Sequence, residues 1–192
     1  MASSTKQQLL ERGMTMLLRQ GYADLGIAAL LDATDIPKGS FYHHFQSKED
    51  FALQVVDLYM TEVHAALDAC LGDASRPPLA RVRRFFETVT EKYRGEGYLG
   101  CLLGGLGQEL SGISDAFRRK VERCFNEIAR RLAVCLEQAI ECGDLPCDTN
   151  ARAMADLLVN CWEGAALRSR LKKSPAPLRE MLDFYFRTAS TD

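Results

Sequence analysis

Long apolar runs are missing from this 192-residue chain; no stretch approaches the roughly 20 residues needed to cross a bilayer. Missing too is the basic-then-apolar opening of an export signal, since the chain starts Met1-Ala2-Ser3-Ser4-Thr5-Lys6. These absences predict a cytoplasmic protein with no membrane attachment. There is no surplus of one charge: 24 Lys+Arg stand against 26 Asp+Glu, a formal net charge of -2. That balance argues against a protein that coats nucleic acid non-specifically, so any DNA contact must come from a local patch. The seven cysteines include no Cys-x-x-Cys pair, and their number is odd. Neither a zinc site nor a disulfide framework is expected, and in a reducing cytoplasm they stay thiols. No metal and no cofactor are expected. Strand-like alternation is almost absent, as are internal repeats and low-complexity segments.

What is present is a 47% hydrophobic composition and helical periodicity nearly from end to end. The chain is therefore expected to be all-α, with enough apolar material for one or two cores. Ser4 and Gln7 have capping-box spacing ahead of a first helix with the stripe Leu10, Met14, Leu17, ended by Gly21. A short helix follows over 27–33, with Asp24 as its expected cap, then a turn at Thr34-Asp35-Ile36. Pro37 suits the first turn of a third helix running to Phe45, because its missing N–H costs nothing there. Ser47-Lys48-Glu49-Asp50 is a further capping signature and opens a long helix with Phe51, Val55, Leu58, Tyr59, Val63, Ala66, Leu67 and Cys70 inward. Later helices are expected over about 79–93, 114–141, 151–171 and 177–188. Short helices give way to long ones near residue 50, which predicts one domain over 1–50 and a second over 51–192.

The third helix has the build of a DNA-reading element. Phe41 and Phe45 are four residues apart and share one face, suited to packing on the first two helices. The other faces carry Lys38, Ser40, Tyr42 and His43. Lys38 can meet a phosphate, and Gly39 lets backbone N–H groups approach one. Ser40 and His43 can reach base edges, while the Tyr42 ring can meet a thymine methyl or donate its hydroxyl to phosphate. Residues 36–48 hold two lysines, two histidines and no acid, whereas the whole of 1–50 holds five Lys+Arg and six Asp+Glu. The positive patch is thus sharply local. Taken alone, the same pattern also fits a helical hairpin with a solvated polar face.

The run Pro37-Lys38-Gly39-Ser40-Phe41-Tyr42-His43-His44-Phe45, followed by Ser47-Lys48-Glu49, resembles the hallmark of the TetR family of bacterial repressors. The resemblance covers about the first 50 residues. It implies an N-terminal three-helix helix-turn-helix domain that binds DNA and a larger C-terminal helical domain that binds an effector and dimerises. It also implies base or sugar-phosphate contact by Ser40, Tyr42 and His43, and phosphate anchoring by Lys38, His44 and Lys48. Gly26 departs from the pattern, since many members open the second helix with a threonine or serine.

The segment Gly97 to Leu110 is unusually rich in glycine. Each helix-interior glycine costs about 1 kcal/mol relative to alanine, so this stretch is weak as a helix and suited to a moving part. Cys101 lies near its expected start, where a helix N-terminus favours the reactive thiolate. Close helix packing around a small buried cysteine would produce the same composition. Gly100-Cys101-Leu102, with Leu106-Gly107-Gln108-Glu109 and Trp162-Glu163-Gly164-Ala165, is similar to a NemR/AcuR-like subgroup of the family. That resemblance implies sensing of reactive electrophiles or acrylate-like compounds at Cys101. Trp162 is a candidate pocket residue, although a lone tryptophan on an apolar stripe more often belongs to the core. Glu163 and Arg168 are read either as polar pocket or interface groups or as part of a solvated face. Cys124, Cys135 and Cys142 share one helical face and are expected to fill core, as are Cys70 and Cys161 on apolar stripes; Cys147 falls in a loop.

The last two helices carry continuous apolar stripes (Met154, Leu157, Leu158, Cys161, Trp162 and Ala165, then Leu178, Met181, Leu182, Tyr185 and Phe186) and are expected to pair with those of a second copy. A homodimer of that kind presents two recognition helices to an inverted-repeat operator on double-stranded DNA. A small non-covalent apolar effector is the alternative to a reactive one. A cysteine-dependent enzyme is the remote alternative: no histidine is placed to activate Cys101, and no catalytic residue is assigned.

Overall fold

A computed structural model describes residues 4–189 of the protein. Met1-Ala2-Ser3, where the chain's expected lack of an export signal begins, lie outside the described residues. Among those described there are nine helices and no strand: α1 (Thr5–Gln20), α2 (Ile27–Asp32), α3 (Lys38–His44), α4 (Lys48–Leu71), α5 (Pro78–Gly95), α6 (Leu102–Leu110), α7 (Asp115–Glu141), α8 (Ala151–Lys172) and α9 (Ala176–Ala189). The fold is all-helical, as the periodicity predicts. No helix of the described residues is long and apolar enough to cross a membrane.

Local chemistry sets the helix ends. The Ser4 hydroxyl accepts from the Gln7 N–H at 3.2 Å and starts α1. The expected reciprocal bond is absent, because the Gln7 amide turns to the Glu11 carboxylate instead. Asp24 does not cap α2. Gly26 occupies that position without a side-chain bond, and the Asp24 carbonyl accepts from the Gln20 amide. Pro37, expected inside the first turn of α3, is its extended N-cap. At the start of α4 the Ser47 hydroxyl accepts from the Asp50 N–H, and the Asp50 carboxylate accepts from the Gln46 N–H. This exchange satisfies two backbone donors that the first turn would otherwise leave free. Ser114 stands just ahead of α7, its hydroxyl accepting from the Phe117 N–H.

The chain forms two compact units. The first runs to Glu62 and takes in Leu102–Val121; the second takes Val63–Cys101 and continues from Glu122. In the first unit Phe41, Phe45 and Phe51 are fully buried around one another, with ring centroids 4.9–5.4 Å apart. Gly13 of α1 is flush with this cluster, since a Cβ there would lie 2.2 Å from the Phe51 ring. In the second unit Trp162 of α8 is buried against Phe86 and Tyr93 of α5, at centroid distances of 4.8 and 6.0 Å. The Tyr185 hydroxyl of α9 donates to the Met154 carbonyl of α8. Withdrawal from water pushes its ionisation upward.

The α7 stripe from Phe117 through Val121, Cys124, Ile128, Leu132 and Cys135 to Ala139 is buried throughout, as its spacing predicts. Two expected core positions are corrected. Cys142 is exposed, because it falls beyond the end of α7 where the chain turns through Gly143 at φ 81°. Leu157 is 56% exposed, because α8 turns Ala155, Leu158 and Trp162 inward and leaves Leu157 on its other side.

Candidate functional site

In the first unit, α3 separates its two roles by face. Phe41 and Phe45 are buried, while Lys38, Gly39, Tyr42 and His43 are exposed. Ser40 and His44 are half-buried. The Tyr42 ring is 56% exposed and meets the buried Phe41 edge-on at 5.3 Å, so an anchored neighbour limits its directions. Nothing lies within 4 Å of a Cβ placed on Gly39, leaving the backbone open to approach. The arrangement offers hydroxyl, imidazole and ammonium donors on one short helix, a set suited to the edges and phosphates of a major groove.

Lys48, expected as a phosphate anchor, is engaged within the protein. Its ammonium lies 3.3 Å from the Ala23 carbonyl and 4.4 Å from the centroid of the Tyr22 ring. It therefore tethers the α1–α2 turn to the start of α4. The same turn is held from α6, where the Glu109 carboxylate accepts from the Tyr22 N–H at 2.9 Å and the Ala23 N–H at 3.1 Å. Gly21, at φ 82°, makes room for this contact: a Cβ there would lie 2.3 Å from Glu109 Oε1. Phe117 meets the Tyr22 ring edge-on at 5.9 Å, and the Ser114 hydroxyl donates to Glu49. Burial and the nearby Glu49 carboxylate both push the Tyr22 phenol upward. Nothing in the local sequence around Tyr22 announces Glu109, which is 87 positions away.

In the second unit, the Gly97–Cys101 loop bends through positive φ at Gly97 (75°), Tyr98 (60°) and Gly100 (86°). It places half-buried Cys101 immediately before Leu102, the first residue of α6. The Arg170 side chain packs beside Gly100. The Cys101 thiol donates a hydrogen bond to the Glu163 carboxyl of α8. Withdrawal from water raises the Glu163 pKa from 4.5 to about 7, and the thiol's hydrogen bond opposes part of that rise. Trp162, its neighbour in the chain, points to the Phe86–Tyr93 core. Glu163 also lines a groove of about 320 Å³ between α7 and α8, with Glu122, Phe125, Asn126, Ala129, Asp156, Val159 and Asn160. Asp156 is paired with Arg152, and Glu122 accepts from the Asn126 amide. Of the other cysteines, Cys70, Cys124 and Cys135 are buried and Cys161 is half-buried, whereas Cys147 is exposed. Burial pushes the Cys135 thiol up, which makes it less prone to ionise. Among the described residues no group of side chains could hold a metal ion.

An exposed helix-turn-helix in an all-helical chain defines a class, the DNA-binding regulators of transcription. Residues 9–55 match the family described as "Bacterial regulatory proteins, tetR family", and residues 78–185 match "Tetracyclin repressor-like, C-terminal domain". The chain is 38% identical to the transcriptional regulator AcuR of Cereibacter sphaeroides, over 92% of its own length and 81% of that protein's. It is 33% identical to the transcriptional repressor DhaR of a Mycobacterium species, over 94% and 90%. The crystal structure of the reduced form of E. coli NemR superposes with a TM-score of 0.87 at 26% identity, covering 98% of each chain. The protein belongs to the TetR family of bacterial transcriptional regulators, within its NemR/AcuR-like subgroup. It is accordingly a DNA-binding regulator and not an enzyme.

Proposed function

We propose that the protein is a homodimeric repressor that leaves an inverted-repeat operator when Cys101 meets a reactive electrophile or a small acrylate-like effector. Residues 1–50 read the DNA, and residues 51–192 sense the effector and dimerise. The observation that carries this reading is the position of Cys101 one residue ahead of α6. Helix α6 lies in the same compact unit as the helix-turn-helix, and its Glu109 holds the turn between α1 and α2. A change of geometry at Cys101 therefore passes into α6 through a single peptide bond. Glycines at 104, 105 and 107 make α6 easy to reshape. An effector that favours the reshaped form must weaken DNA binding, and by linkage DNA must weaken the effector to the same degree.

Contacts to DNA are assigned to Lys38, Gly39, Ser40, Tyr42, His43 and His44, with Lys48 adding positive charge beside them. The dimer contact is assigned to α8 and α9, where Leu157, Leu167, Leu171 and Phe184 are exposed. The three leucines share one face of α8, and a second copy would cover them. Trp162 supports this site as packing that fixes α8 behind Glu163.

The test is a mobility shift on DNA upstream of the protein's own gene, with and without an electrophile. Wild-type protein is expected to release the DNA on treatment, and Cys101→Ser to bind equally well but stay bound. Normal release by Cys101→Ser would overturn covalent sensing and leave the non-covalent effector.

A further inference from the structure

Addition of a thiol to an activated alkene needs a proton removed from sulfur and a proton supplied to carbon. Here the Cys101 thiol, in the loop ahead of α6, is hydrogen-bonded to a carboxyl 62 positions away in the chain, on helix α8 of the same unit. That carboxyl also lines a groove wide enough for a small molecule. Trp162 of α8, packed against Phe86 and Tyr93 of α5, fixes the rotation of α8 and hence the direction of its neighbour.

Resting on the reading of Cys101 as the sensor, we propose that Glu163 carries the proton from the Cys101 sulfur to the alkene during addition of an α,β-unsaturated carbonyl compound. The Glu163 carboxylate takes the S–H proton, and the sulfur lone pair forms a C–S bond to the β-carbon. The π electrons of the C=C bond move onto the α-carbon and carbonyl as an enolate. The Glu163 carboxyl returns its proton to the α-carbon before the enolate can expel the sulfur again, so proton delivery governs the net rate of addition. One S–H and one C=C π bond are lost, one C–S and one C–H bond are gained, and no oxidant or reductant takes part. A carboxyl held near neutrality by its withdrawal from water is well matched to both transfers. The charged groups around it are Glu122 and Asp156 on the groove wall, the latter neutralised by Arg152, with Arg170 beside the Cys101 loop.

Two reagents separate proton delivery from simple thiol activation. Iodoacetamide is attacked at a saturated carbon and expels iodide, so it needs the thiolate alone. Acrylamide needs the thiolate and a proton at carbon. Rates of Cys101 modification are measured for both on the full-length protein, by mass spectrometry of the Cys101 peptide, with free cysteine as reference. The wild-type ratio of acrylamide to iodoacetamide rates is expected to exceed that of free cysteine by on the order of tenfold or more. Glu163→Gln is expected to bring the ratio down to the free-cysteine value, and Glu163→Asp to retain part of the excess. A wild-type ratio equal to that of free cysteine overturns the proposal without any variant, and so does an unchanged ratio in a folded Glu163→Gln protein. The sensor reading is judged separately. Acrylamide-modified wild type that still holds operator DNA defeats that reading, while the rate ratio alone decides the role of Glu163.

Discussion

Gly13 and Gly21 are small for different reasons, and both reasons lie far along the chain. Gly13 sits mid-helix with ordinary backbone angles, so its lack of a side chain serves space and not conformation. Alanine would favour the helix locally, yet its methyl would fall 2.2 Å from a ring atom of the fully buried Phe51. Gly13→Ala is therefore expected to lower stability by about 1–3 kcal/mol in spite of the better helix propensity, as read by urea denaturation. Gly21 combines a left-handed φ with the nearby Glu109 carboxylate, so any side chain there meets both strain and a clash. Glu163, like Arg168, reads from the sequence alone as either a pocket group or part of a solvated face. Its partnership with Cys101 depends on how the Gly97–Cys101 loop bends through three positive φ angles, and such a path carries no periodic signal.

Helices α1, α2, α3 and α4 could be read from apolar spacing and turn chemistry because each is decided by neighbours a few residues away. The shifts at their ends have the same local origin: Asp24 loses its capping role to Gly26, and Pro37 stands outside α3 instead of inside it. Helix α6 was the element least decided by its own residues. Its glycines weaken it, and it persists because Leu102, Leu103, Leu106 and Leu110 are buried on one side. Glu109, exposed at the edge of that buried face, spans two backbone N–H groups of the α1–α2 turn. Replacing it by alanine is expected to lower stability by about 1 kcal/mol and to weaken operator binding, as measured by denaturation and by operator titration. Glu109→Gln, which keeps an acceptor but not the charge, is expected to fall between wild type and the alanine variant. Operator affinity unchanged in both variants would mean that the turn does not need its cap.

At the scale of the whole molecule, a net charge near zero leaves DNA binding to a few local contacts, which the proposed dimer would present twice. The apolar surface left open on α8 and α9 is where that second copy is expected to bind. Leu157 and Leu171 are 56% and 70% exposed, and changing both to glutamate places two charges in the expected contact. The double variant is expected to elute as a monomer under light-scattering detection and to bind operator at least roughly tenfold more weakly, with its helical content intact. A double variant that stays dimeric would move the interface elsewhere.

The first compact unit is also discontinuous, taking Leu102–Val121 along with the N-terminal helices. A DNA-reading head assembled from two separated stretches of chain cannot be transplanted by a single cut. A hybrid that joins the first 62 residues of this protein to the remainder of a relative would meet a foreign α6 where Tyr22 and Ala23 expect Glu109, and a foreign helix start where Tyr22 expects Phe117. On the proposed function, operator preference and effector response are therefore not freely interchangeable parts. To retarget such a regulator, α6 and the first turns of α7 must travel with the head.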